Sequence, residues 1–179
     1  MRSKEDCMLR QKANIVLAVS ILTISTTALV AQTPPPVAAS YKATANIISL
    51  GQGTNDCAAG WLPISVSGNG EDFDGPYILT EQLCVNPVNP LAVVFSGYFE
   101  IRHQGEGSYS GPFNGTFVPS GQILEVHATW RITNGDGHFS NLIGAGTAKG
   151  VAKIVNNGPG PGTIVLDGST HTEDNANGH

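Results

Sequence analysis

The chain has 179 residues, of which 40% are apolar and 13% are charged. This length supplies one ordinary domain with an apolar core, but not two. Beyond residue 31 there are five Lys and Arg and twelve Asp and Glu, which gives a net charge of −7. An acidic domain without a basic patch excludes nucleic acid and anionic membrane surfaces as partners.

The N-terminal segment has the pattern of an export signal. Four basic residues lie within the first twelve, and an uncharged apolar run, Ala13 to Ala31, follows directly and ends in small residues. This order is typical of a signal peptide, and the run is also long enough to span a bilayer if it is retained. We predict a signal peptide over residues 1–31, or an uncleaved anchor over 13–31, and a secreted or periplasmic protein.

Residues 32–40 contain three successive prolines and are predicted to form an extended spacer. The segments that follow show period-two alternation or short apolar runs bounded by turn residues, which is typical of β-strands. These predicted strands are 41–50, 62–66, 78–85, 91–103, 109–117, 124–132, 147–155 and 163–169. Polar loops are predicted between them, including Ser67–Gly75 and the turn Asn134–Gly137.

The clearest strand is 124–132, where two sets of side chains alternate over nine residues. One set is Leu124, Val126, Ala128, Trp130 and Ile132, and the other is Glu125, His127, Thr129 and Arg131. No stretch beyond the leader has helical periodicity, and the 22 Gly and 11 Pro favour an antiparallel barrel or sandwich. Glycines repeated within strands, as at Gly111 and Gly115, favour the barrel because they let strands bend around a narrow interior. We predict a single all-β domain over 41–170 and a disordered polar tail over 171–179.

Several motifs resemble one family. The string Ile132–Phe139, continuing to Gly144–Thr147, resembles the glycine-rich signature of exported bacterial proteins with an allene-oxide-cyclase-like barrel, a fold shared with plant dirigent proteins. Cys84–Pro87, Phe95–Phe99 and Tyr109–Phe117 resemble the same family in the same order, so that the similarity covers Tyr41 to Ser169.

The resemblance implies an eight-stranded up-and-down antiparallel barrel with a central cavity, often assembled as a dimer or trimer. The sequence departs from the pattern at His138, where Arg is usual, and at Asn141–Ile143, where small residues are usual. None of the cyclase catalytic residues can be matched to a position here, so the catalytic residues are unknown. A scaffold signature of this kind indicates a fold and says little about chemistry.

Two cysteines remain beyond the leader, Cys57 and Cys84. An even number in an exported chain predicts one disulfide, closing a loop of 27 residues. The alternative is a metal-binding or catalytic thiol, but neither cysteine lies in a CxxC pair or beside a histidine.

The candidate ligand-binding residues are Tyr109, Glu125, His127 and Arg131. The last three share one strand face and could form an acid–base row inside a barrel with a cavity. The alternative, which we prefer, is a solvent-facing row, because the opposite face of the same strand is apolar. A ligand site would require such residues to point into a lumen larger than about 300 Å³.

The sequence predicts no metal and no cofactor. Residues 70–75 together with Glu81 match part of an EF-hand calcium loop, but the first ligand is missing and no helices flank it, so a solvated acidic loop is the preferred interpretation. The histidines lack zinc-site spacing, and no serine-hydrolase or nucleotide-binding motif is present.

Two functions follow from these observations. The first is a secreted, non-enzymatic barrel that binds a small apolar molecule in its lumen. The second is a cyclase or isomerase that steers a reactive molecule by the shape of its cavity, with few catalytic groups. A filled interior would remove both of these ligand functions and leave a structural or interaction module.

Overall fold

The computed structural model describes residues 38–155 and 158–173. Residues 1–37 and 174–179, and with them the predicted leader, the spacer up to Val37 and most of the predicted tail, lie outside the described residues. The elements are β1 (Ala39–Gln52), β2 (Leu62–Asp72), β3 (Gly75–Asn86), β4 (Val93–His103), β5 (Gly107–Ser120), β6 (Ile123–Ile132), β7 (Asn134–Gly135), a 3₁₀ turn (Gly137–Phe139), β8 (Leu142–Val155) and β9 (Gly158–Thr172).

Eight long strands close into a barrel in which every pairing is antiparallel. Each long strand pairs with the next one along the chain, and β1 pairs with β9, so that Thr44 lies opposite Val165. The two-residue β7 pairs with the start of β5, where Gly135 lies opposite Tyr109. The prediction of an all-β, eight-stranded up-and-down barrel is confirmed. Closure leaves no long strand with an unpaired edge.

No helix in the described residues has the length and apolar character needed to cross a membrane.

The inner face of the barrel is the apolar core. On β6 the inward set runs from Leu124 to Ile132 and is buried, whereas the set that includes Glu125, His127 and Arg131 faces outward, as the alternation predicts. Each large apolar side chain buried in this way stabilises the fold by roughly 1.5–3 kcal/mol.

One predicted loop is a strand. The stretch Ser67–Gly75 was expected to be a polar loop, but β2 continues to Asp72 and β3 begins at Gly75. Its inward positions carry Gly68 and Gly70 and therefore give no apolar signal. A side chain at Gly70 would lie 2.5 Å from the Tyr77 hydroxyl, so glycine is needed there to let Tyr77 fill the interior.

The indole of Trp130 also depends on glycines opposite it. Its Nε1 donates a hydrogen bond to the Thr147 carbonyl at 3.0 Å, and its ring lies over Gly146 and Gly168. A Cβ built at either glycine would be 2.7 Å from Cζ2 of Trp130, and a Cβ at Gly146 would also meet the backbone of β9.

We expect Gly146→Ala to lower the free energy of unfolding by about 1–3 kcal/mol, because the added methyl group must displace both the indole and a neighbouring strand. Gly51→Ala is the matched control, since nothing lies within 4 Å of a Cβ there. Chemical denaturation followed by Trp fluorescence measures both changes. Equal stability of the two variants would contradict the packing argument.

Candidate functional site

The structure separates the four predicted ligand-binding residues. Tyr109 points into the barrel and is buried, whereas Glu125, His127 and Arg131 lie on the outer surface. Nε2 of His127 is 3.6 Å from Oε2 of Glu125, and the two side chains are 52% and 42% exposed. This is the arrangement that the solvent-facing alternative predicts. Arg131 borders a groove on the outer surface with Ile143; such an open surface buries less of a ligand than a typical pocket does.

The predicted disulfide between Cys57 and Cys84 is present, with the two Cα atoms 5.5 Å apart. It ties the β1–β2 connection to the end of β3, and Nδ2 of Asn55 donates a hydrogen bond to Sγ of Cys84 at 3.1 Å. The bond excludes the alternative of free or metal-bound thiols at these two positions. A structural disulfide also indicates a non-reducing compartment.

A polar cluster fills the end of the barrel where β2 turns into β3. The Tyr41 and Tyr109 hydroxyls are hydrogen-bonded at 2.8 Å, and the Tyr109 hydroxyl donates to Oδ2 of Asp72 at 2.6 Å. Oδ1 of Asp72 accepts the backbone N–H of Asp74 at 2.9 Å. The Asp72 side chain has no exposed surface, so the prediction of a solvated acidic loop is wrong for this residue.

Aromatic rings enclose His103 next to this carboxylate. Nε2 of His103 is 3.3 Å from Oδ2 of Asp72, and the ring centroids of Tyr77 and Phe139 lie 5.8 and 5.0 Å from the imidazole centroid. Burial raises the pKa of Tyr77 and of Tyr109 above the ordinary range, so both phenols stay neutral; the Tyr109 hydroxyl is hydrogen-bonded, whereas the buried Tyr77 hydroxyl has no hydrogen-bond partner among the described residues. Tyr41, Asp72 and Tyr109 are thus hydrogen-bonded to one another, whereas the Tyr77 hydroxyl and Nε2 of His103 are packed without a hydrogen-bond partner in the part of the chain that the structure describes.

We expect Tyr109→Phe to destabilise the protein by about 1–3 kcal/mol, because Asp72 loses a donor and the Tyr41 hydroxyl loses its partner in a buried site. Tyr98→Phe removes the same hydroxyl from a side chain that is 63% exposed and should change stability little. The two variants are compared by urea denaturation. A loss in Tyr98→Phe as large as that in Tyr109→Phe would contradict this account.

The second buried carboxyl group lies in the middle of β3. Glu81 is only 5% exposed, and its partners in register are Val66 on β2 and Phe99 on β4. Burial raises the pKa of Glu81 from its ordinary 4.5 to about 8, and no charged neighbour or hydrogen bond contributes to that shift. The side chain is therefore mainly a neutral carboxylic acid at pH 7.

Glu81 lines a cavity of about 40 Å³. The cavity lies between Glu81 and the end of the barrel that is opposite the Tyr41–Asp72 cluster. The other residues around this cavity are mostly apolar: Ile47, Leu50, Val66, Phe113, Phe117, Val126, Val151, Ala152, Gly160, Thr163 and Ile164. Of these lining residues, Leu50 and Phe117 are partly buried and Val151 is 48% exposed, so the cavity lies closest to solvent beside them.

This cavity is much smaller than the lumen of about 300 Å³ that the ligand hypothesis requires. Aromatic side chains fill the space: the ring centroid of Phe95 is 5.3 Å from that of Phe113 and 4.5 Å from that of Phe117. About 40 Å³ is room for two or three water molecules. By the criterion of a lumen of about 300 Å³, the interior of the described barrel is filled and the expected lumen for a whole ligand is not present in it; only a slender group that displaces lining side chains could enter.

In the sequence, Glu81 stands out only as the last position of an incomplete calcium loop, and its burial in the barrel was not predicted. The signal was present, because Glu81 interrupts an inward row of Tyr77, Leu79, Leu83 and Val85. Within residues 38–155 and 158–173, no three His, Cys, Asp or Glu side chains come together in a group that could hold a metal ion.

Comparison with known proteins does not assign this chain to a family. No protein-family model matches the chain, and no curated protein matches it. The observed barrel is compatible with the allene-oxide-cyclase-like fold that the motifs resemble, while membership in that family is not shown.

Proposed function

We propose that this protein is a secreted or periplasmic barrel that binds a small apolar molecule at the Glu81 cavity. The observation that supports it is an ionisable side chain in a mostly apolar cavity, buried with no protein hydrogen-bond partner among the described residues. Keeping Glu81 neutral at pH 7, against an ordinary pKa of 4.5, costs about 3 kcal/mol. Leu occupies the neighbouring inward positions 79 and 83, so a barrel with a purely structural role has a more stable alternative here.

The cavity dimensions narrow the choice of ligand. A molecule that occupies a cavity of about 40 Å³ must be slender where it enters, such as the end of an alkyl chain. Ile48 and Val155, which are 59% and 46% exposed, lie near the same end of the barrel and offer apolar surface to the part that remains outside. Burial of this surface supplies the favourable free energy of binding.

A cyclase or isomerase is the second candidate, and one observation favours it. A carboxyl group with a pKa of about 8 can both donate and accept a proton near neutral pH, as an acid–base catalyst must. The apolar walls around it would hold a reactive substrate in one shape. The resemblance to allene-oxide-cyclase-like and dirigent-like barrels supports this activity, and it also supports a bacterial source and assembly as a homodimer or homotrimer.

The binding function is tested by incubating the purified, oxidised protein with a lipid extract and identifying the retained molecules by mass spectrometry. n-Hexane serves as a defined probe, followed by chemical-shift changes of backbone amides. We expect saturable shifts at residues lining the cavity, such as Val126 and Ile164, and retention of at least one small apolar molecule. Return of that molecule in altered form would favour the cyclase or isomerase.

Two Ala→Leu variants compare the protein with its cavity filled and the protein with its cavity left open. Ala152→Leu adds three carbons to the cavity lining, whereas Ala145→Leu adds them to an exposed position of the same strand. We expect only Ala152→Leu to abolish hexane binding and lipid retention, with circular dichroism showing that both variants remain folded. Equal binding by the two variants, or no binding by the unmodified protein, would overturn the proposed function.

A further inference from the structure

We infer that the ligand of the Glu81 cavity carries an uncharged oxygen acceptor, such as a ketone or ester carbonyl, which receives a hydrogen bond from the carboxyl group of Glu81. This inference rests on the proposed function and specifies the chemical class of the ligand.

The surroundings of Glu81 determine which hydrogen-bonding group a ligand of this cavity must carry. Its neighbours in register, Val66 and Phe99, offer no hydrogen-bonding side chain, and among the described residues around the cavity Thr163 is the only other one with a polar side chain. A buried donor that lacks a partner costs about 1–3 kcal/mol. A ligand that brings an acceptor replaces the hydrogen bond that the carboxyl group makes to water in the cavity, whereas a pure hydrocarbon that expels the water leaves the donor without a partner.

The number of hydrogen-bond donors that must find partners in the cavity differs between a carbonyl ligand and an amine ligand. A protonated carboxyl group has one O–H donor, which one carbonyl oxygen satisfies. An ammonium group has three donors, and the apolar walls would leave two of them without partners. A buried ion pair must in addition overcome the desolvation of both charges. The lining therefore favours a neutral oxygen acceptor over a cation.

The protonation state of the Glu81 carboxyl group also favours a neutral oxygen acceptor as its partner. With a pKa raised to about 8 by burial, Glu81 retains its donor at neutral pH. The residues that face it from the surrounding strands are Val66, Phe99, Phe113, Val126 and Ile164, none of which titrates. Loss of carbonyl recognition at alkaline pH would consequently report the ionisation of Glu81 itself.

Three six-carbon probes test the inference: n-hexane, 2-hexanone and hexylamine. Their dissociation constants are measured by NMR titration at pH 6 and pH 9.5 for the unmodified protein, Glu81→Gln and Glu81→Leu. For each protein, the dissociation constant of n-hexane is divided by that of 2-hexanone. The resulting ratio is then divided by the ratio found for Glu81→Leu, because this cancels the different hydration of the two probes. We expect a preference for 2-hexanone of about tenfold at pH 6, which corresponds to one net hydrogen bond.

The expected pH dependence separates the variants. The preference should disappear at pH 9.5 in the unmodified protein, where the carboxylate can no longer donate, and should persist at both pH values in Glu81→Gln, whose amide N–H remains a donor. Hexane binding without any preference for the ketone, or tightest binding of hexylamine, would overturn this inference and leave the proposed function standing. Absence of saturable binding by all three probes would overturn the proposed function itself.

Discussion

Raising the pH from below 4.5 to above 8 is expected to lower the free energy of unfolding of the oxidised protein by about 5 kcal/mol more than that of Glu81→Gln. The reason is the burial of Glu81 inside the barrel. Its carboxyl group binds a proton much more tightly in the folded protein than in the unfolded chain, where its pKa is near the ordinary 4.5.

The sign follows from the number of protons bound in each state. Between pH 4.5 and about 8 the unfolded chain has released the Glu81 proton while the folded barrel retains it. Stability therefore falls as the pH rises through this window, at up to about 1.4 kcal/mol per pH unit. Below pH 4.5 both states are protonated and the stabilisation is fully present; above pH 8 both are ionised and the loss is complete.

Urea denaturation at half-unit pH intervals from 4 to 9.5 measures this effect. Burial also raises the pKa of Asp74, so part of the pH dependence belongs to other groups. Glu81→Gln retains those groups and lacks the Glu81 proton, and the difference between the two curves isolates Glu81. Parallel curves would show that Glu81 is solvated or paired in solution, which would also remove the main support for the proposed ligand site.

The two buried carboxyl groups illustrate how environment assigns different roles to similar side chains. Asp72 accepts hydrogen bonds from Tyr109 and from the backbone of Asp74, so its lone pairs are used within the protein. Glu81 has no such protein partner in the part of the chain that the structure describes, and the group lines a cavity. Asp72 therefore stabilises one end of the barrel, whereas Glu81 remains available to a ligand.

The sequence predicts those features that depend on local alternation. The inward and outward sets of β6, the disulfide and the closed antiparallel barrel all follow from patterns within short segments or from the cysteine count. The end of β2 was missed because Gly68 and Gly70 occupy inward positions, where an apolar side chain would have indicated a strand.

The polar cluster could not be predicted in the same way. Tyr41, Asp72 and Tyr109 lie on three different strands, and the two hydrogen bonds that join them span 68 and 37 residues. Only the register of the closed barrel brings them together. Glu81, by contrast, was predictable in principle, because an acidic residue at an inward position of an apolar strand is itself a signal of function.

Removal of the Cys57–Cys84 disulfide is expected to lower the free energy of unfolding by about 3.5 kcal/mol. The bond closes a loop of 27 residues, and in the chain-entropy model the open chain gains this amount of conformational freedom in the unfolded state. The folded state should change little, because β2 and β3 remain paired along their whole length, from Leu62 opposite Val85 to Asp72 opposite Gly75.

The double variant Cys57→Ser/Cys84→Ser and the unmodified protein are compared by guanidinium denaturation, each with and without reductant. Reductant should destabilise the unmodified protein to the level of the double variant and leave the double variant unchanged. A loss below about 1 kcal/mol would mean that the unfolded chain is already restricted around this loop, contrary to the model. A loss near the expected value, in a barrel that also carries the cost of burying Glu81 at neutral pH, would leave little margin of stability under reducing conditions, in agreement with the non-reducing compartment that the disulfide indicates.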